Sequence, residues 1–120
     1  MQEAVNLAHK FSLFSDYWHP RIVGELNGQH VKLARLKGQF VWHHHDDGDE
    51  LFLVIQGRLR MRFRDGEVQV AEGELIIVPR GVEHLPVADD EVQVLLFERV
   101  TTRNTGNVKN DSTLTDLDRI

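Results

Sequence analysis

The stretch Gly38-QFVW-His43-His44-His45-DDGD-Glu50-LFLVIQ-Gly57 sets two short, largely apolar runs on either side of an acidic turn. On an extended strand alternate side chains share a face, so His43 and His45 project together, roughly 6–7 Å apart along the chain. Two imidazoles at that spacing can converge on one ion, each nitrogen reaching it at about 2.0–2.1 Å. His44 falls on the opposite face and is read as a non-ligand. Glu50 opens the next strand, where a turn over Asp46 to Asp49 folds its carboxylate back beside the histidines. Asp49, one residue nearer, is the second choice for that oxygen. A hard carboxylate added to imidazole nitrogens suits Zn, Fe, Mn, Ni or Co better than Cu(I) or Ca.

A second stretch, Gly73-ELIIV-Pro79-Arg80-Gly81-Val82-Glu83-His84, ends a strand at a tight Pro-x-Gly reversal and delivers His84 as a fourth ligand. Outward from these stretches the chain reads as short strands broken by turns. Asn27-Gly28 and Asp65-Gly66 are hairpin signals, and Lys37-Gly38 and Ala71-Glu72-Gly73-Glu74 are further breaks. Leu59, Met61 and Phe63 alternate with Arg58, Arg60, Arg62 and Arg64, so one face of that strand is apolar and the other basic. Beside Glu67 and Gln69 the arginines form a solvated, cross-paired face. Val92 to Phe97 supplies the last long strand. Many short strands with turns every eight to twelve residues predict an all-β antiparallel sandwich or barrel.

The two histidine stretches resemble the motifs of the cupin superfamily. Gly38, His43, His45, Glu50 and Gly57 match the first motif, with one residue fewer between Gly38 and His43. Gly73, Pro79, Gly81 and His84 match the second at every spacing, while Ala88 stands where the family has asparagine. The resemblance covers about residues 31–98 and implies a jelly-roll-like double-stranded β-helix barrel, usually dimeric. It also implies one divalent ion (Fe, Mn, Ni or Zn) held by His43, His45, Glu50 and His84. Small members of this kind are also similar to the metal domain of phosphomannose isomerases, a likeness of fold that names no substrate.

The ends divide the chain. Residues 1–20 are expected to form a helical segment, with Ala4, Leu7, Ala8, Phe11 and Phe14 on one face, stopped before Pro20. The barrel occupies 21–100. Residues 101–120 are polar and read as an extended tail that Leu114, Leu117 and Ile120 anchor to the domain or to a neighbour.

With 120 residues there is room for one domain. Cysteine is absent, which excludes disulfides, thiolate ligands and a cysteine nucleophile. A net charge of −5 argues against nucleic-acid binding, and no run of 18 apolar residues provides a membrane span. The start MQEAVNLAHK is unlike a secretory signal, so the expected location is cytoplasmic. The expected partners are a small-molecule ligand or substrate and a second copy of the chain.

Two functions fit this reading. The first is a metal-dependent enzyme on a small polar metabolite, with dioxygenase or isomerase/lyase chemistry. The second is a non-catalytic ligand-binding module. An enzyme needs an acid or base besides the ligands, for which Glu83 and Asp49 are the candidates, with Asp46 and Asp47 behind them. Phe40, Trp42, Phe52 and Phe97 are available to line an apolar pocket.

Overall fold

Asn27 and Gly28 adopt φ of 53° and 75°, the two positive values a two-residue hairpin turn requires. They join β1 (Arg21–Leu26) to β2 (Gln29–Gln39), with Leu26 opposite Gln29. The computed structural model describes residues 2–120. A second hairpin joins β4 (Arg58–Phe63) to β5 (Gly66–Ala71), and its turn is one residue earlier than Asp65-Gly66. Phe63 pairs with Gly66, so Arg64 and Asp65 make the reversal and the glycine opens the next strand. The other strands are β3 (Glu50–Gln56), β6 (Leu75–Val78) and β7 (His84–Arg99).

All strand pairs are antiparallel, and β7 organises them. Its first half, His84 to Val87, pairs with β4. Its second half, Val92 to Arg99, lies between β2 and β3. One long strand therefore runs in both layers of a jelly-roll-like barrel. Lys37-Gly38 does not end a strand as the composition suggests. The register shifts between Leu36 and Gly38, and β2 continues to Gln39 as a bulged strand.

Inward rows fill the barrel at the period of two expected of strands. Phe52 and Val54 of β3, Leu59 and Met61 of β4, and Val92, Val94 and Leu96 of β7 pack into one core with Ala34, Leu36 and Val78. Burying side chains of this size stabilises the fold by about 1.5–3 kcal/mol each. The arginines of β4, and Arg64 in the turn after it, face outward. Arg60 pairs with Glu67 and Asp89, Arg58 bonds Gln69, and Arg64 pairs with Glu83 while lying 3.8 Å from the Trp42 ring centre.

The helical segment is shorter than the apolar spacing suggests. Only α1 (Leu7–Phe11) is helical, capped by the Asn6 side chain accepting from His9 N and ended where Ser12 Oγ donates to the His9 carbonyl. Phe11 and Phe14 are buried with Leu33, and Leu95, Ile55 and Ile120 pack on them, whereas Ala4 and Ala8 stay exposed. The C-terminal segment chooses its own domain for an anchor. Ile22 N donates to Asp118 O, Ile120 N to Ile22 O, and Lys10 Nζ to Ile120 O. No helix among the described residues is long and apolar enough to cross a membrane.

Candidate metal centre

The residues from Phe40 to His45 form no regular strand, yet backbone bonds hold them in register with β7. Phe40 N donates to Pro86 O, His43 and His84 exchange N–H···O bonds of 3.1 and 2.8 Å, and Gly81 N donates to His45 O. His43 and His45 therefore keep the shared face that strand alternation predicts. Their ring centres are 5.0 Å apart, and that of His84 lies 4.3 Å from His43.

Two of the rings have a fixed tautomer. The carbonyls of Val41 and Val82 lie 2.8 and 2.9 Å from Nδ1 of His43 and His84. A carbonyl only accepts, so each Nδ1 carries the hydrogen and each Nε2 presents a lone pair, as metal-ligating histidines do. Nε2 of His45 and of His84 stand 3.2 and 3.4 Å from Glu50 Oε1. All three atoms are buried without a hydrogen-bond partner.

Orphaned buried polar atoms are costly unless something satisfies them. Here the orphans are two imidazole nitrogens and a carboxylate oxygen facing each other, a donor set that suits a divalent transition ion. One ligand atom from each of His43, His45, Glu50 and His84 lies within 4.8 Å of all the others. Donors on opposite sides of an ion at 2.1 Å stand about 4.2 Å apart, so the cluster is within an ångström of a coordinating span. The residues fit a metal.

The electrostatics agree. Burial, helped by His84, lowers the His43 pKa from 6.5 to about 4, so the ring is neutral at physiological pH, the form that could ligate a metal. Burial pushes the Glu50 carboxyl up, but Glu98, His45 and His84 beside it outweigh burial and hold it well below the ordinary carboxylate range.

A family model described as a cupin domain matches residues 30–98. This chain belongs to the cupin family. It is 42% identical to a cupin-2 domain protein of Shewanella frigidimarina NCIMB 400, whose crystal structure superposes with a TM-score of 0.78 over 79% of this chain and 93% of that one. It is 40% identical over 63 residues to the uncharacterized protein YdbB of Bacillus subtilis (strain 168), and the match spans 52% of this chain and 56% of that relative. A crystal structure of the hydroquinone 1,2-dioxygenase PnpCD in complex with Cd2+ and 4-hydroxybenzonitrile shares the fold. Its TM-score is 0.64 at 18% identity, over 75% of this chain and 69% of that one.

Beside the candidate ligands this cupin has a small cavity of about 40 Å³ that opens to the surface. His43 and Glu50 are part of its wall, and Phe40, Phe52, Leu96 and Trp18 give it an apolar lining. Trp18 stacks on Phe40 with ring centres 4.7 Å apart, and its Nε1 donates to Lys37 O. Of the four aromatic residues proposed from sequence, Phe40 and Phe52 reach this cavity; Trp42 lies under Arg64, and Phe97 borders a separate surface groove.

Neither carboxylate proposed as acid or base belongs to the cluster or lines the cavity. Glu83 is held by Arg64. Asp49 is exposed, its Oδ1 accepting from Arg80 N at 2.8 Å, so it fastens one ligand turn to the other. Asp46 pairs with His44, which faces away from the cluster as predicted.

Two charged groups that the sequence reading passed over do reach the site. Lys32 and Glu98, 2% and 3% exposed, form a 2.8 Å ion pair in the cavity wall. Each continues an inward row: Lys32 precedes Ala34 and Leu36, and Glu98 follows Val92, Val94 and Leu96. A charge on the apolar beat of a strand was the available signal.

The segment after β7 also reaches the centre. Asn107 accepts from His44 N through its side chain and donates its own N–H to His44 O, while Thr105 is fully buried. Gly106, at φ 58°, passes so close that a Cβ there would lie 2.2 Å from His44 O and 3.0 Å from the His43 ring. The polar residues expected to form an extended tail instead brace the ligand stretch from outside.

Proposed function

We propose that this cupin is a metal-dependent enzyme acting on a small metabolite held in the cavity. The observation that carries the proposal is that His43 and Glu50 are at once members of the ligand cluster and part of the cavity wall. A molecule in the cavity therefore reaches the ion directly. His43, His45, Glu50 and His84 would hold that ion. When bound, it supplies either a site for oxygen chemistry or a Lewis acid that acidifies a proton next to a carbonyl.

The chain's own residues do the rest. Trp18, Phe40, Phe52 and Leu96 exclude water and leave the metabolite's reactive end facing the ligands. Glu98 is the one carboxyl group besides Glu50 in the cavity wall among the described residues. It is better placed for the acid–base role than Glu83 and Asp49, which do not line the cavity.

The test follows the metal. Protein containing iron is assayed for oxygen uptake with small metabolites. Protein containing zinc or manganese is incubated with small carbonyl compounds in D2O, and exchange of their α protons is followed by NMR. Turnover above that of the metal-stripped protein supports the enzyme. Binding without uptake or exchange assigns the barrel to the alternative, a module that holds its ligand unchanged.

A further inference from the structure

We infer that the cavity takes a small carboxylate whose anionic group sits between the ion and the Lys32 ammonium. This rests on the metal reading and adds the class of ligand to it. Lys32, Glu98 and Glu50 lie on three adjacent strands, β2, β7 and β3, and all three line the same cavity. A divalent ion and the Lys32 ammonium bring three positive charges to this end of the barrel. Glu50 and Glu98 bring at most two negative ones, and a proton on either only widens the difference. The three histidines add no negative charge.

An uncompensated positive charge is therefore buried against an otherwise apolar wall, which is costly unless an anion answers it. The protein does not provide one. The cluster and the cavity wall contain no further carboxylate among the described residues. Asn104, the other polar wall residue, is spent on the backbone, its Nδ2 donating to Ser112 O and its Oδ1 accepting from Leu114 N. Lys32 Nζ makes one hydrogen bond, to Glu98 Oε1, and an ammonium has three donors to give. The remaining wall, built from Trp18, Phe40, Phe52 and Leu96, suits an uncharged hydrocarbon body. Together these select a small acid with an apolar remainder.

The probes are acetate, butyrate and benzoate, each paired with its amide, titrated by calorimetry into the full chain after its metal content has been measured. At least one acid is expected to bind about tenfold tighter than its amide. In Lys32→Met the ratio of acid to amide affinity falls close to one, because the charge excess is gone. In Glu98→Gln it holds or rises, because the excess is never reduced, and this second variant keeps the test open should the first fail to fold. A fall in Lys32→Met without a fall in Glu98→Gln is not expected of residues that only support the fold. Metal-bearing protein that prefers no acid over its amide, or a ratio that falls in Glu98→Gln, overturns the carboxylate assignment and leaves the metal reading standing. Wild-type protein that holds no metal overturns both.

Discussion

Glu98 stands directly opposite Glu50 in the pairing of β3 with β7, and both carboxyl groups are buried. Glu98 Oε1 accepts from Lys32 Nζ at 2.8 Å, while its Oε2 has no hydrogen-bond partner among the described residues. Burial, reinforced by the charge of Glu50, pushes the Glu98 carboxyl well above the usual range, against the opposing pull of Lys32. Glu50, by contrast, is held well below that range by Glu98, His45 and His84, against the effect of its burial.

Breaking the pair on one side should cost more than removing it. Lys32→Met leaves two buried carboxyls without their cation, and a loss of about 3–5 kcal/mol is expected in the metal-free protein. The double variant Lys32→Met/Glu98→Gln should recover at least half of that. Urea denaturation of the metal-free forms measures both. Equal losses in single and double variants would show that the pair contributes through packing rather than charge.

The brace formed by the C-terminal segment depends on a glycine. At φ 58°, with His44 O in the path of a Cβ, Gly106→Ala should destabilise the protein by about 1–3 kcal/mol and weaken zinc binding, since the displaced backbone carries His43 and His44. Asn107→Ala removes the side-chain bond to His44 N and should cost about 1 kcal/mol. Thermal melts with and without zinc separate the two effects. A Gly106→Ala protein of wild-type stability and affinity would mean that the segment does not rest on the centre.

Acid should weaken the metal-free fold through His43. Its pKa falls from 6.5 to about 4 on folding. Between those values the unfolded chain binds the proton and the folded chain does not, so stability is full above pH 6.5 and declines as pH falls toward 4. His43 alone accounts for about 3 kcal/mol across that window. Glu98, raised in the folded state, works in the opposite direction, so the informative quantity is the difference between wild type and His43→Gln. That difference should shrink with falling pH. A constant difference would place the His43 pKa at its ordinary value.

Glu83→Gln and Asp49→Asn should leave metal content unaltered, and stability should change by less than about 1 kcal/mol. Glu83 contributes one surface ion pair, and an asparagine at 49 still offers an oxygen to Arg80 N. Loss of metal in either variant would return these carboxylates to the centre.

The cluster of His43, His45, Glu50 and His84 was legible because each member obeys a local rule. His43 and His45 share a face by alternation, Glu50 begins the inward row of β3, and His84 follows a Pro-x-Gly reversal. Hairpins and inward rows followed from the same period of two. What escaped the sequence depends on contacts between distant segments. Lys32 meets Glu98 66 positions away, and only the β2–β7 register brings them together. Likewise, nothing local in the polar run after residue 100 shows that Asn107 will bond His44, 63 positions back. Residues 1–20 looked more helical than they are because Phe11 and Phe14 serve the outer face of the sheet rather than a helix of their own.

The most direct test is the metal content of untagged protein purified without chelator, determined by elemental analysis beside His45→Ala, His84→Ala and the control His44→Ala. About one transition ion per chain is expected in wild type and in His44→Ala, with loss in the other two. Wild-type protein that is empty and cannot be reloaded, or metal that survives both ligand variants, would contradict the centre described above.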